Sequence, residues 1–217
     1  MIKAVIFDMD GLLINSEPLW KETEVQLFNG LGVPITYEMT DQTMGMTTPE
    51  AVAYWYQRYL WDGRTQESVG RELDAGVLEL IKAKGQPMPG VDHIIGLCEE
   101  LGLPMAVASS SPINMINAVI AKLGIGHHLK GIHSALFEQY GKPHPAVYIS
   151  AAEKLGVTPG QCLAFEDSPN GVLSAKAAKM RCVAVPEAGT QTDKRFGIAD
   201  IVVDSLADVT REMMTSL

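Results

Sequence analysis

The sequence predicts an α/β fold: a parallel sheet covered by helices on both faces, with a helical subdomain inserted between its first and second strands. Three observations carry this expectation. Short, continuously apolar runs read as strands buried on both faces: "AVIF" near the start, "PMAVAS" at 104–109, "CLAFE" at 162–166, "RCVAV" at 181–185 and "DIVV" at 200–203. From residue 90 onward these runs alternate with helical periodicity, which is the order of βαβ units. Between residues 17 and about 86, by contrast, helical patterns follow one another with no convincing strand between them.

Taken in order, the first strand opens at Ala4 and closes at Asp8. "PLWKETEVQLFNGLG", "PEAVAYWYQRYLW" and "QESVGRELDAGVLELIKAKG" then read as three helices, the second with Thr47 or Thr48 placed to cap it and Pro49 in its first turn. "GQPMPGV" at 85–91, rich in Pro and Gly, is the natural return linker. Ile94, Leu97, Cys98 and Leu101 keep the spacing of a helix that stops at Gly102. After the second strand, Ile116, Val119, Ile120 and Leu123 form another helical face, ended by Gly124. Tyr148, Ala151, Ala152 and Leu155 form the next, opened by Pro145 and ended by Gly156, and "NGVLSAKAAKM" separates the strands at 162–166 and 181–185. The expected division is a Rossmann-like core over 1–15 and 88–217, with a helical cap over 16–87.

Composition narrows the function classes. A chain of 217 residues suffices for one sizeable core and a small second domain. A net charge of −9 repels polyanions from most of the surface, so neither nucleic acid nor an anionic membrane is expected as a partner, and any phosphate must be met locally. Cys98, Cys162 and Cys182 form no C-x-x-C pair and read as core fillers, not as a disulfide framework or a zinc site. No leader pattern and no membrane-length apolar run is visible, so a cytoplasmic setting is expected. Oligomeric state leaves no signal.

The chemistry gathers at predicted strand ends. "FDMDG" places Asp8 and Asp10 two residues apart, on one side of a strand, at the carboxyl edge where open α/β sheets bind ligands. Two neighbouring carboxylates raise one another's pKa unless a cation lies between them or one is kept protonated. A hard cation meets the first need, and a protonated second carboxyl would serve as a general acid. Alone, the tetrapeptide is equally a turn, since Asp and Gly both favour turns. Ser109 and Ser110 in "ASSSP" follow the strand at 104–109, Lys142 in "GKPHP" precedes a helix, and Glu166 and Asp167 in "FEDSPNG" close the strand at 162–166. Taken singly, Ser109 reads as a helix start and Lys142 as a surface charge. His144 reads as a loop residue. "GIGHH" at 124–128 has Leu129 where a dinucleotide fingerprint needs its third glycine, so no nucleotide cofactor is implied.

With these four motifs in order, the chain resembles the haloacid dehalogenase superfamily of phosphatases with a small helical cap, over nearly its whole length from "FDMDG" to "ADIVVDSL". The resemblance implies a phosphoric monoester hydrolase acting on a small-molecule phosphate ester. Asp8 would be the nucleophile that forms an aspartyl-phosphate, and Asp10 would protonate the leaving alkoxide and then activate water. Mg²⁺ would be held by Asp8, the Asp10 carbonyl and Asp167, with Glu166 as a direct or outer ligand. Ser109, Ser110 and Lys142 would hold the phosphoryl oxygens. The cap, "ASSSP" and "DGLLINSEPLW" most resemble the branch of hexitol and 2-deoxyglucose-6-phosphate phosphatases, which implies a sugar or sugar-alcohol phosphate. Trp20, Met46 and Thr47 are the cap positions expected to choose the leaving group.

Three alternatives stand beside this reading. β-Phosphoglucomutases share the core and cap, but their pattern has a cap histidine where this chain has Trp20, and a loop arginine at about the place of Thr48. The dehalogenase branch lacks the second aspartate, present here as Asp10. A phospho-accepting receiver module also uses carboxylates, Mg²⁺ and a lysine, but the Asp-x-Asp-Gly spacing and the helical insertion disagree with it. Asn15 stands where the phosphatase pattern has aspartate at the first cap hinge, which removes a charge from that hinge.

Overall fold

The computed structural model describes all residues from Met1 to Leu217. Six parallel strands form one sheet in the order β3-β2-β1-β4-β5-β6: β1 Ala4–Phe7, β2 Met105–Ser109, β3 Leu129–Ser134, β4 Cys162–Glu166, β5 Arg181–Ala184 and β6 Ile201–Val202. The order reverses at β1, so the crevice outside the carboxyl ends of β1, β2 and β4 is the topological switch point where such sheets take ligands.

Helices follow the sequence pattern closely. α1 Glu17–Gly30, α2 Tyr37–Thr40, α3 Thr48–Arg58 and α4 Gln66–Lys84 make up the insertion. α5 Val91–Glu100, α6 Ile113–Leu123, α7 Ala146–Lys154, α8 Pro169–Ala177 and α9 Arg211–Ser216 belong to the sheet's surroundings. None is long and apolar enough to cross a membrane.

Alternation along the strands explains how one sheet serves two different faces. Val5, Phe7, Met105, Val107, Leu163 and Phe165 point into a core of large side chains shared with α5 and α6. That core continues through Leu12 and Ile14 into Phe28, Trp55 and Leu73 of the insertion. Ala4, Ala106, Ala108, Ala164 and Ala184 face the other way, where their small size lets α7 and α8 pack close to the sheet. All three cysteines are buried and free.

The insertion leaves and returns by adjacent connections: Asn15 N donates to Gln86 O at 2.9 Å and Met88 N to Leu13 O at 3.0 Å. The Asn15 side chain is exposed. Three elements were not expected from the sequence. β3 escaped because "LKGIHS" is an edge strand whose Lys130, Gly131 and His133 break the apolar run. The short α2 and α9 lack the length to show a period.

Candidate active site

Asp8, Lys142, Glu166 and Asp167 meet beneath the sheet's carboxyl edge, and each is buried. Asp8 follows β1, and its amide still donates to Phe165 O at 3.0 Å, which fixes the backbone beside β4. Lys142, only 3% exposed, reaches in from the loop before α7 and donates from Nζ to Asp8 Oδ1 and Glu166 Oε1, both at 2.6 Å, and to Ala108 O at 3.2 Å. The solvated-surface reading of Lys142 is thereby excluded.

Glu166 has no exposure and is heavily engaged. Its Oε1 also accepts from the Tyr148 hydroxyl at 2.6 Å, and its Oε2 accepts from Ser168 N at 3.3 Å and Ser168 Oγ at 3.2 Å. Gly171 makes room for it: a Cβ there would lie 1.9 Å from the Glu166 Cδ. Gly11, at φ +76°, does the same for Asp167, whose Oδ2 would stand 2.1 Å from an added Cβ.

Carboxylate oxygens of Asp8, Glu166 and Asp167 lie within 4.8 Å of one another. Burial pushes Asp8 up to about 7, against the pull of Lys142 and with Glu166 and Asp10 adding to the rise. Burial, then Asp8 and Glu166, push Asp167 well above the carboxylate range. Lys142 is held protonated by the two carboxylates despite its burial. One ammonium thus faces three carboxyl groups, and a hard divalent cation with oxygen ligands fits the deficit of positive charge.

Asp10 reaches the same edge by a different route from the one expected. β1 ends at Phe7, so strand alternation does not align the two aspartates. Residues 9–14 instead close a tight turn in which Leu13 N donates to Met9 O and Gly11 N to Ile14 O, both at 2.9 Å, and this turn aims Asp10 back at the crevice. Four donors hold it: Ser16 Oγ at 2.7 Å and Trp20 Nε1 at 3.1 Å on Oδ1, Ser111 Oγ at 2.7 Å and Ser109 Oγ at 3.4 Å on Oδ2. The serine hydroxyls can turn to donate or accept.

Loops of the core grip the insertion directly. Ser110 Oγ donates to Gly45 O at 2.8 Å, Asn170 Nδ2 to Met44 O at 3.1 Å, and Gly141 N to Glu50 Oε1 at 3.1 Å. The cavity so enclosed has Asp8, Asp10 and Asp167 on one side and α1, α3 and the 40–48 loop on the other. Trp20 and Met46 line it. Thr47 does not: it is buried, and its hydroxyl donates to Glu50 Oε2 at 2.6 Å to cap α3, while its neighbour Thr48 takes the place in the wall. Trp20 is neither bare core nor a free reader of substrate, since its indole is committed to Asp10.

Sequence reading missed Ser16, Ser111, Tyr148 and Gly171. The serine run in "ASSSP" hinted at Ser111; Ser16 and Gly171 act on carboxyl groups six and five positions away, and Tyr148 on one eighteen away. His144 is an exposed loop residue whose Nδ1 accepts from Ala146 N at 3.3 Å, opening α7.

A family model described as haloacid dehalogenase-like hydrolase matches residues 2–179. Hexitol phosphatase B of Escherichia coli (strain K12) is 41% identical over 211 residues, covering 96% of this chain and 95% of that protein. Fructose-1-phosphate phosphatase YqaB of the same strain is 28% identical, over 84% and 95%. Among solved structures, CbbY from Rhodobacter sphaeroides in complex with phosphate superposes with a TM-score of 0.85 at 26% identity over 96% of each chain. β-Phosphoglucomutase from Clostridium difficile shares the fold, with a TM-score of 0.87 at 23% identity over 100% of this chain and 96% of that one. With its motifs, its sheet order and its relatives in agreement over nearly the full length, the chain belongs to the haloacid dehalogenase-like hydrolases.

Proposed function

We propose that this protein is a Mg²⁺-dependent, cytoplasmic phosphatase of small sugar or sugar-alcohol phosphates, working through a phosphorylated Asp8. The observation that carries the reading is the pairing of a buried Asp8–Lys142 contact with a second aspartate, Asp10, held at the same crevice by four donors. The 41% identity to a hexitol phosphatase supports the substrate class.

Asp8 attacks phosphorus, and the bond to the leaving oxygen breaks as Asp10 delivers its proton there, a contribution of about 10²–10⁴-fold. Asp10 then removes a proton from the water that attacks phosphorus, which frees phosphate and restores Asp8. Lys142 offsets charge on Asp8 and on the phosphoryl oxygens, and Ser109 and Ser110 line the loop that receives those oxygens. Glu166 acts behind this group: with Lys142, Tyr148 and Ser168 on its oxygens, it positions the lysine. Mg²⁺, held by Asp8, the Asp10 carbonyl and Asp167, would neutralise charge that builds on the phosphoryl group. Residues 16–87 act as the cap that excludes water and selects the leaving group.

A mutase would need a second phosphate site in the cap. The only cation in the cap wall is Lys21, already paired with Asp41 at 2.8 Å. The test is phosphate release from a panel of sugar, sugar-alcohol and glycolate phosphates, with Mg²⁺ and with chelator. Turnover that needs Mg²⁺ and favours the sugar-type esters supports the proposal, whereas no release from any ester refutes it and would favour a receiver-like module.

A further inference from the structure

The 40–48 loop stands over the site as a thin partition. Met44 and Met46 line the reactive cavity on one side and a second cavity on the other, the latter shared with Asn170 and with Glu187 and Arg195 of the segment after β5. Neither methionine joins either apolar core, so burial does little to hold this stretch in place. Donors of the core hold it instead, aimed at its main chain. The Ser110 hydroxyl donates to Gly45 O at 2.8 Å and the Asn170 amide to Met44 O at 3.1 Å, two consecutive carbonyls. Gly45 makes the approach possible: it sits at φ +78°, and a Cβ there would lie 2.9 Å from Ser168 Oγ and 3.4 Å from Asn170 Cβ.

Both donors spring from loops that carry groups of the reactive edge. Ser110 follows Ser109, and Asn170 stands three residues after Asp167, in the first turn of α8. A carbonyl turned toward the core is satisfied there only while the loop stays docked. Asn170 isolates this docking from the chemistry, because the bond to Met44 O is the one hydrogen bond its side chain makes in the protein. Its helix does not need it: Ser168 already caps α8, with Oγ accepting from Gly171 N at 3.0 Å.

We propose that Asn170 is a positioning residue: its amide docks the cap's 40–48 loop on the core through Met44 O, and the docked loop keeps Met46 in the wall that meets the leaving group. The inference rests on the phosphatase reading of the site.

The test compares wild type with Asn170→Ala and Asn170→Asp, both of which delete the donor. A carboxylate in the first turn of α8 is favoured by the helix dipole, so Asn170→Asp should unfold within about 4 °C of wild type. Hydrogen–deuterium exchange of the metal-free proteins should accelerate by about 2–10-fold over residues 41–48 in both variants and stay unchanged in α5. In the presence of Mg²⁺, kcat/KM on glucitol 6-phosphate should fall by about 2–10-fold in both. Unchanged exchange over 41–48, or faster exchange with kcat/KM still at the wild-type value, overturns the assignment. A loss confined to Asn170→Asp also overturns it, since the effect then belongs to the added charge near Asp167. Absence of wild-type turnover on both glucitol 6-phosphate and p-nitrophenyl phosphate refutes the phosphatase reading itself, an outcome that the exchange measurement keeps separate from a failure of the docking.

Discussion

Replacing Glu24 by glutamine should stabilise the free protein, and by an amount that depends on pH. Burial raises the Glu24 pKa from its ordinary 4.5 to about 7, only partly offset by Trp55 and Thr43 beside the carboxyl. A carboxyl whose folded-state pKa lies above its unfolded value contributes its full stability below about pH 4.5, and that contribution is lost as pH climbs through about 7. The gap between the two values corresponds to about 3 kcal/mol once the group is ionised in both states, near pH 8 and above. Glutamine keeps the shape and carries no charge at any pH. Glu24→Gln should therefore unfold within about 4 °C of wild type near pH 5, where the difference is below about 1 kcal/mol. It should unfold some 6–12 °C higher than wild type at pH 8.5, taking about 2–4 °C per kcal/mol for a chain of this size. Thermal unfolding followed by circular dichroism, in chelator, across pH 5 to 8.5, reads this directly. Because Asp8 and Asp167 are present in both proteins, their titration cancels in the difference. A difference that does not change with pH, or a variant less stable than wild type at pH 8.5, would show that Glu24 is not held in the environment described.

Other expectations follow from the same contacts. Gly171→Ala drives a methyl into the Glu166 carboxyl, displacing the residue that positions Lys142; it should cost about 1–3 kcal/mol of stability and lower phosphate release by about 100-fold. Asp10→Asn should lose about 10²–10⁴-fold on alkyl phosphates but much less on p-nitrophenyl phosphate, whose leaving group needs no proton; equal losses would remove the acid role. Burial lifts the pKa values of Asp8 and Asp167, so the metal-free protein should lose stability as pH rises through about 7, and the melting-temperature gain from added Mg²⁺ should grow between pH 5.5 and 8 because cation and proton compete for the same oxygens. A gain that is flat with pH would argue against these residues as the ligands.

The parallel sheet was legible because its central strands are apolar on both faces, and the insertion was legible because three helical patterns follow one another there with no strand between them. β3 was not: an edge strand carries polar residues that erase the apolar run, and only its pairing with β2 makes it a strand. The core motifs were legible as residue types at strand ends, and the structure brings Asp8, Lys142, Glu166 and Asp167 together. Their division of labour was not legible. The carboxyl of Glu166 reads identically to a metal ligand until Tyr148, eighteen positions away, is seen donating to it. Thr47 and Thr48 are interchangeable in sequence, and only the capping geometry sends the first away from the cavity and the second into it. Glu24 sits in a helix that reads as amphipathic and polar; its burial beside Trp55 and Thr43 is a property of what packs around it, which no spacing encodes.

The claim that organises all of this is a phosphoryl group on the Asp8 carboxylate. Acid quench of wild-type enzyme during turnover, followed by borohydride reduction, converts an aspartyl-phosphate to homoserine, and peptide mapping by mass spectrometry locates it. Homoserine at position 8, absent without substrate and absent in Asp8→Asn, is the predicted result. Homoserine at another acidic residue, or rapid turnover by Asp8→Asn with deamidation excluded, would contradict the account.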